Sequence, residues 1–452
     1  MKRTTLLAID DVSLPLKKNL CYYLSKPEVR PEPVLTPTAH NPQAPDTLAS
    51  HFYGTVLYDG GKFRMWYYPC SFKTTAAIPE EGSLLWFEQN INLGPVCYAE
   101  SDDGIHWEKP VLGQVEFKGS RDNNAIALSE LPIEGVTLIK DEDDPDPQRR
   151  YKMVYNYMVP ERFFSLRTAT SPDGIVWSVG PELPLDSFAE QASFYKHDGL
   201  YIANTQAGSP FTRSEGGRER GRQGIAWVSP DFNDWLQESA ESFVLPEPAR
   251  PEDRGIAKPY EQVHLGVGAS SFGNVLVGFY CVWHNQPKEG DWFGLGTTSG
   301  DLVLVVSNDG IAFREPVKGH VYLSRTDSPV TPSEGAYETV LCQANGILTV
   351  GDETRIYHGR WRNSQDPRHY YAEVALATLP RDRWGALGLF PDQAQGSVWS
   401  APVTLPTSDV RLSLNADGVR GMKVEISDER FSLLPEYSGA NAGTCAEADG
   451  LD

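Results

Sequence analysis

The chain of 452 residues is poor in cysteine, and none of its six thiols forms a Cys-x-x-Cys pair. That excludes a zinc ribbon or a dithiol redox site, and scattered thiols fit a reducing compartment. Basic side chains are also scarce. Forty Lys and Arg face 61 Asp and Glu, for a formal charge of −21, which suits neither nucleic acid nor an anionic membrane surface. No apolar run approaches membrane-spanning length. Before Asp10 and Asp11 the N-terminus holds only a short apolar stretch, too weak for a secretory signal, so a cytoplasmic location is expected. The His-Glu-x-x-His, Gly-x-Ser-x-Gly and phosphate-loop patterns are all absent. Gly294-Leu295-Gly296 and Gly266-Val267-Gly268 fall short of a dinucleotide fingerprint. Carboxylate chemistry or pure binding is left.

What the chain does have is Gly, Pro and aromatics, and a repeat. Ser101-Asp102-Asp103-Gly104-Ile105-His106-Trp107 recurs as Ser171-Pro172-Asp173-Gly174-Ile175-Val176-Trp177 and as Ser307-Asn308-Asp309-Gly310-Ile311-Ala312-Phe313. Weaker copies start at Ser229 and Thr378, so successive copies are 70, 58, 78 and 71 residues apart. Asp-Gly supplies a tight turn, the Ser bonds turn amides, and the Trp or Phe packs between sheets. Alternating apolar segments surround each copy, such as Val56-Leu57-Tyr58, Asp59-Gly60-Gly61, then Phe63 to Tyr67. Period-two runs separated by turns, four per repeat, predict an all-β chain folded as a five-bladed β-propeller with a small C-terminal β appendage. The propeller is expected over residues 1–395, with the Pro-rich segment 1–40 closing the ring. The appendage is expected at 396–437, and 438–452 as a poorly ordered tail.

In such a meander the Asp-Gly turns lie on one face, and the loops before each first strand lie on the other. The ligand face then offers Asp46 and His51 in the first repeat, Asp122 and Glu134 in the second, and Glu190 and Gln191 in the third. Glu261 and His264 follow in the fourth, Glu334 and Glu338 in the fifth. The loops after each second strand add Trp86, Trp292, His358, Arg360 and Arg362, among further basic residues such as Arg222. Aromatics suit the apolar faces of sugar rings, and guanidinium groups suit anions. The run Asp141 to Asp146 reads as a solvated acidic turn rather than a calcium loop.

The stretches Tyr58 to Tyr67, Ala99 to Pro110, Arg150 to Tyr155 and Gly351 to Gly359 resemble the five-bladed propeller glycoside hydrolases. These are the β-fructosidase, arabinanase/xylosidase and mannoside-phosphorylase families, and also uncharacterised bacterial proteins similar to the β-fructosidase N-terminal domain. The resemblance spans about residues 40–390. It implies three acidic residues from different blades at the channel mouth. Asp46 falls at the nucleophile or base position, Glu134 near the second-blade helper, and Glu190 near the third-blade acid, with Glu261 beside His264 as the substitute. His51, Asp122, Gln191, His264, Trp86, Trp292, His358, Arg360 and Arg362 would bind substrate. The Asn-Asp-Pro-Asn-Gly, Arg-Asp-Pro and Glu-Cys motifs of β-fructosidases are missing. The expected activity is hydrolysis of a furanoside or acidic-sugar glycoside, with a phosphorylase and a non-catalytic sugar-binding propeller as alternatives. No cofactor is required; a calcium ion in the channel stays open, with no ligand set to identify it. The partner is a carbohydrate, not nucleic acid or membrane.

Overall fold

The computed structural model describes residues 4–73, 91–128, 132–159, 163–185, 189–207, 213–214, 218–219, 222–245, 260–285, 298–364, 369–404, 410–445 and 449–451. The architecture is all-β, with no α-helix among these residues. No helix among them is long and apolar enough to cross a membrane. The chain divides into two compact units. The larger comprises residues 1–5, 26–350 and 355–378, and the smaller residues 6–25, 351–354 and 379–452.

Among the described residues, the larger unit's strands pair as five antiparallel meanders of four. The first comprises Ala49–Asp59, Lys62–Phe72, Val96–Ser101 and Ala125–Ile126. The second comprises Ile133–Lys140, Tyr151–Val159, Phe163–Ser171 and Ser178–Glu182. The third comprises Glu190–His197, Leu200–Ala207, Gln223–Ser229 and Ala240–Phe243. The fourth comprises Tyr260–Ser271, Leu276–Asn285, Ser299–Ser307 and Val321–Leu323. The fifth takes Tyr337–Cys342, Glu353–Ser364 and Tyr371–Pro380, and borrows Glu28–Val29 from the N-terminal segment as its fourth strand.

The repeated turn shows why the meanders stack. Ser101 Oγ accepts from the Gly104 amide at 2.9 Å, and Asp103 Oδ1 accepts from the Ile105 and His106 amides at 2.7 and 2.8 Å. The copies at Ser171 and Ser307 repeat this geometry. Each turn then docks on the preceding meander. Trp66 Nε1 donates to the Gly174 carbonyl at 2.8 Å, Tyr195 Oη to Gly310 at 2.8 Å, and Tyr357 Oη to Gly104 at 2.8 Å. The last of these joins the fifth meander to the first. The second and third meet where Lys196 and Tyr201 bond the Asp141 carboxylate. Asp141 is only 5% exposed and Lys152 pairs with Asp144, so the start of this acidic run is a joint between meanders, while Glu142, Asp143 and Asp146 are exposed as expected of a solvated turn.

The first strands converge. Asn345 Nδ2 donates to the Leu138 and Phe194 carbonyls at 3.3 and 2.7 Å, and its backbone exchanges hydrogen bonds with Gly54 and Val56. Gln343 Nε2 reaches the His264 and Gly266 carbonyls at 2.6 and 2.7 Å. One segment of the fifth meander therefore touches the first strand of every other.

The smaller unit pairs Leu20–Leu24 with Gly385–Leu389 and Leu16–Lys18 with Ser397–Trp399. It buries Ile9 and Trp384. It is wider than the 396–437 appendage expected, because strand periodicity cannot reveal that two N-terminal strands pair with residues 385–399. Within 438–452, Gly443–Thr444 and Gly450–Leu451 pair with Lys423–Val424 and Asn415–Ala416.

Candidate functional site

Every first strand has a break in its register or its pairing. In the first meander His51 pairs with Tyr68 and Thr55 with Trp66, leaving Phe52 to Gly54 opposite Tyr67. In the second, Gly135 and Ile133 are paired and Glu134 is skipped. The third breaks between Gln191 and Ser193, and the fourth between His264 and Val267. The fifth is interrupted between Cys342 and Ile347, since Tyr337–Cys342 and Ile347–Val350 both pair with Glu353–Ser364. Bulges bend a strand and re-aim its side chains. In the fourth meander Leu265 and Gly266 take φ of +67° and +103°. A Cβ on Gly266 would stand 2.4 Å from the Thr205 carbonyl, so only glycine fits there.

These bulges bring His51, Glu190, Gln191 and His264 into one buried cluster, with Glu134 half-buried at its side. His51 and His264 are each 2% exposed, Glu190 7% and Gln191 1%. Aromatic rings enclose them. His51 stacks on Tyr68 at 5.3 Å and donates to or accepts from Tyr370 Oη through Nε2. Tyr53 meets His264 at 6.2 Å, His264 meets Trp283 at 4.2 Å, and Trp361 bridges Trp283 and Tyr370 at 5.9 and 5.8 Å. The Arg222 guanidinium lies 5.1 Å over Trp283. Its backbone is pinned by Gln262 Oε1 and the Val263 amide at 3.1 Å each.

Several polar atoms here are buried without a hydrogen-bond partner: Glu134 Oε2, both side-chain amide atoms of Gln191, and His264 Nδ1. Such atoms are costly unless something else satisfies them. Burial pushes the Glu134 carboxyl well above its ordinary range, and the nearby Glu190 charge adds to this; Arg222 and, less, Asn156 oppose it. Burial also raises Glu190, against the pull of Arg222 and the Gln206 amide. Burial drives His51 down to about 3 and His264 well below its usual value, with Arg222 and His51 adding to the latter. At neutral pH the histidines are uncharged donors and acceptors, and burial favours the neutral form of both carboxyls.

Other candidates stand elsewhere. Asp46 is fully buried, and its Oδ2 accepts from Lys109 Nζ at 2.5 Å, Tyr67 Oη at 2.8 Å and Ser50 Oγ at 3.0 Å. Tyr67 faces away from Tyr68, its neighbour in the strand, and joins the core between the first and fifth meanders. Asp46 Oδ2 is thus compensated, while its Oδ1 is buried without a partner, and neither glutamate carboxyl has Asp46 among the charges acting on it. Asp122 is exposed and lines a separate cavity of about 400 Å³ with Trp107 and Lys109. Arg360, 2% exposed, donates to Ser328 Oγ and to the Pro31 and Arg30 carbonyls at 2.8, 3.0 and 2.8 Å, and pairs with Glu373 at 3.6 Å. Arg362 donates to the His369 and Thr331 carbonyls at 3.1 and 2.6 Å and stacks 4.6 Å from Tyr371. His358 bonds Ser328 at 2.7 Å. All three hold structure, contrary to the substrate-binding expectation. The strand runs on to Ser364, so these residues share one face while Trp361 takes the other. Trp86, Trp292 and the Glu261 side chain lie outside the described residues. Among the described residues no group of three or more His, Cys, Asp or Glu is gathered to hold a metal ion, and the six thiols are unpaired.

No family model matches the chain, and no curated protein does. Solved structures similar to it include a β-1,2-mannobiose phosphorylase from Listeria innocua, at 13% identity and a TM-score of 0.49, over 79% of this chain and 96% of that one. A second comes from work on the GH130 family of mannoside phosphorylases and its glycoside hydrolases that target β-1,2 mannosidic linkages, at 14% identity and a TM-score of 0.47, over 80% and 94%. A third is a GH43 β-xylosidase/α-arabinofuranosidase from a compost metagenome, at 12% identity and a TM-score of 0.46, over 80% and 98%.

Proposed function

We propose that the five meanders form a five-bladed propeller and that the chain cleaves a glycosidic bond at the cluster where their first strands converge. The observation that carries this reading is the carboxyl pair. Glu134 and Glu190 come from the first strands of adjacent meanders, Glu190 buried and Glu134 half-buried with its Oε2 enclosed, and Arg222 acts on both. Gly135, next to Glu134, lies against the Gln191 backbone, next to Glu190. Glycosidic cleavage needs one carboxyl that donates a proton to the leaving oxygen and one carboxylate that attacks or activates water. A carboxyl pair that shares a proton meets that need at neutral pH. The aromatic walls supply flat apolar faces for a sugar, and the unpartnered amide of Gln191 and ring nitrogen of His264 supply hydrogen bonds for its hydroxyls.

A furanoside is the substrate class that the resemblance implies. The acidic-sugar expectation rested on Arg360 and Arg362, whose terminal guanidinium nitrogens already bond backbone carbonyls. The test is a screen of aryl furanosides, aryl pyranosides and aryl uronides, with and without phosphate, on the wild type, Glu134→Gln and Glu190→Gln. Phosphate-independent release of the aryl group, lost in both folded variants, is the expected result. Phosphate-dependent turnover would make the enzyme a phosphorylase. Turnover that survives both substitutions, or none on any substrate, would overturn the reading.

A further inference from the structure

The two carboxyls of the site are not equivalent, and the difference traces to one buried amide. Gln206 sits opposite Glu190 in the third meander and is fully buried. Its Oε1 accepts from the Leu265 backbone amide at 2.7 Å. Leu265 is the fourth-meander bulge residue held at φ +67°, a conformation costly for a branched side chain. A backbone N–H is always a donor, so the end of the Gln206 amide that faces Leu265 must be oxygen. The other end must therefore be NH2, and it points at Glu190 Oε2. The bulge thus dictates that Glu190 receives a hydrogen-bond donor.

Glu134 Oε2 is buried and unpartnered, and the Asn156 amide is the least of the influences on this carboxyl. A donor favours the ionised form of a carboxyl, and burial without one favours the neutral form. Arg222 favours the ionised form of both groups, and on Glu190 its pull exceeds that of Gln206 and acts in the same direction. The remaining titratable neighbours are Tyr68 and Cys70 beside Glu134, Tyr53 and Tyr370 within reach, and Cys342 beside Glu190. Burial keeps all of them neutral. We propose that Gln206 fixes the ownership of the proton in the pair, so that Glu134 is the acid and Glu190 its ionised partner. On the reading of this pair as the reacting carboxyls, on which the inference rests, Glu134 delivers the proton to the leaving oxygen and Glu190 attacks or activates water. The resemblance implies the reverse assignment, with the acid at Glu190. Gln206 is a positioning residue, since it acts through Glu190.

The test is an infrared titration of the intact protein without substrate, following the carbonyl stretch of a protonated carboxyl and its shift in heavy water. At neutral pH the wild type should show the band, Glu134→Gln should abolish it, and Glu190→Gln should keep it. A band absent from the wild type, surviving Glu134→Gln or lost with Glu190→Gln would overturn the proposal. In the Glu134→Gln background, Gln206→Met should raise the Glu190 midpoint by about one to two pH units, the size of one lost hydrogen bond to a charged group. An unmoved midpoint would remove Gln206 from its role. Should Gln206→Met not fold, the first three proteins decide the ownership of the proton alone. The band needs no turnover, so its outcome is separate from whether glycosides are cleaved.

Discussion

At the scale of single residues, Lys109 is what makes the burial of Asp46 tolerable. The Asp46 side chain is 1% exposed and its cation 18% exposed, and breaking such a pair leaves a charge without compensation. Lys109→Met should cost about 3 kcal/mol in urea unfolding, and Asp46→Asn in the same chain should restore most of it. A loss below about 1 kcal/mol would show that Asp46 is solvated. Glu134 is the opposite case, a carboxyl buried without a cation of its own. Its raised folded-state pKa means that folding favours the protonated form. Its contribution to stability is therefore fully present below the unfolded carboxyl range and lost as pH rises. Glu134→Gln should accordingly be more stable than the wild type at pH 8, by at least about 1 kcal/mol, with the gain vanishing near pH 4. Equal stability at both pH values would contradict this assignment. Side-chain type told Asp46 and Glu134 apart poorly in the sequence, because both precede a first strand. What separates them is a lysine 63 positions away and a bulge that no periodicity predicts.

At the scale of elements, the Ser-x-Asp-Gly turn was legible in the sequence because its chemistry is local. Ser, Asp and Gly meet within four residues, and their amide bonds hold regardless of what lies around them. Burial pushes the Asp173 and Asp309 carboxyls up, but the turn amides outweigh it and hold both below the ordinary range. The turn is also a joint. Gly174 takes φ +77°, and a Cβ there would stand 2.9 Å from the Trp66 ring. Gly174→Ala should destabilise the protein by about 1–3 kcal/mol in thermal or urea unfolding, more than Gly113→Ala, where φ is +67° but a Cβ meets nothing. Equal costs would mean that backbone strain alone is felt and that the contact with Trp66 is slack. Strand ends were less legible. Residues read as loop at 358–371 continue the strand to Ser364, and alternation then sends Trp361 to the site while Arg360 and Arg362 go to its back. The apolar alternation weakens over Arg360, Arg362 and Asn363, so the end of this strand is not legible from hydrophobicity.

At the scale of the whole molecule, the repeat and its spacing made the five meanders legible, while the pairing of distant segments was not. Glu28–Val29 completes the fifth meander against Thr378 and Ala377, and Arg360 secures the same N-terminal segment through the Arg30 and Pro31 carbonyls. Arg360→Met should cost about 3 kcal/mol of stability, as for a broken buried pair, without changing inhibition by sulfate or phosphate ions. An unchanged unfolding midpoint with weakened anion inhibition would return Arg360 to the site. The candidate site itself depends on all the meanders at once, since Glu134, Glu190, His51 and His264 come from four different first strands and Trp361 and Tyr370 from the fifth meander. The most direct measurement of the account's central claim is kcat/KM on a cleaved aryl glycoside for the wild type, Glu134→Gln, Glu190→Gln and the double variant. A carboxyl pair working as one unit predicts that each single substitution costs about 10²–10⁴-fold and that the double costs little more than either alone. Single losses below about tenfold, or losses that multiply in the double variant, would contradict it.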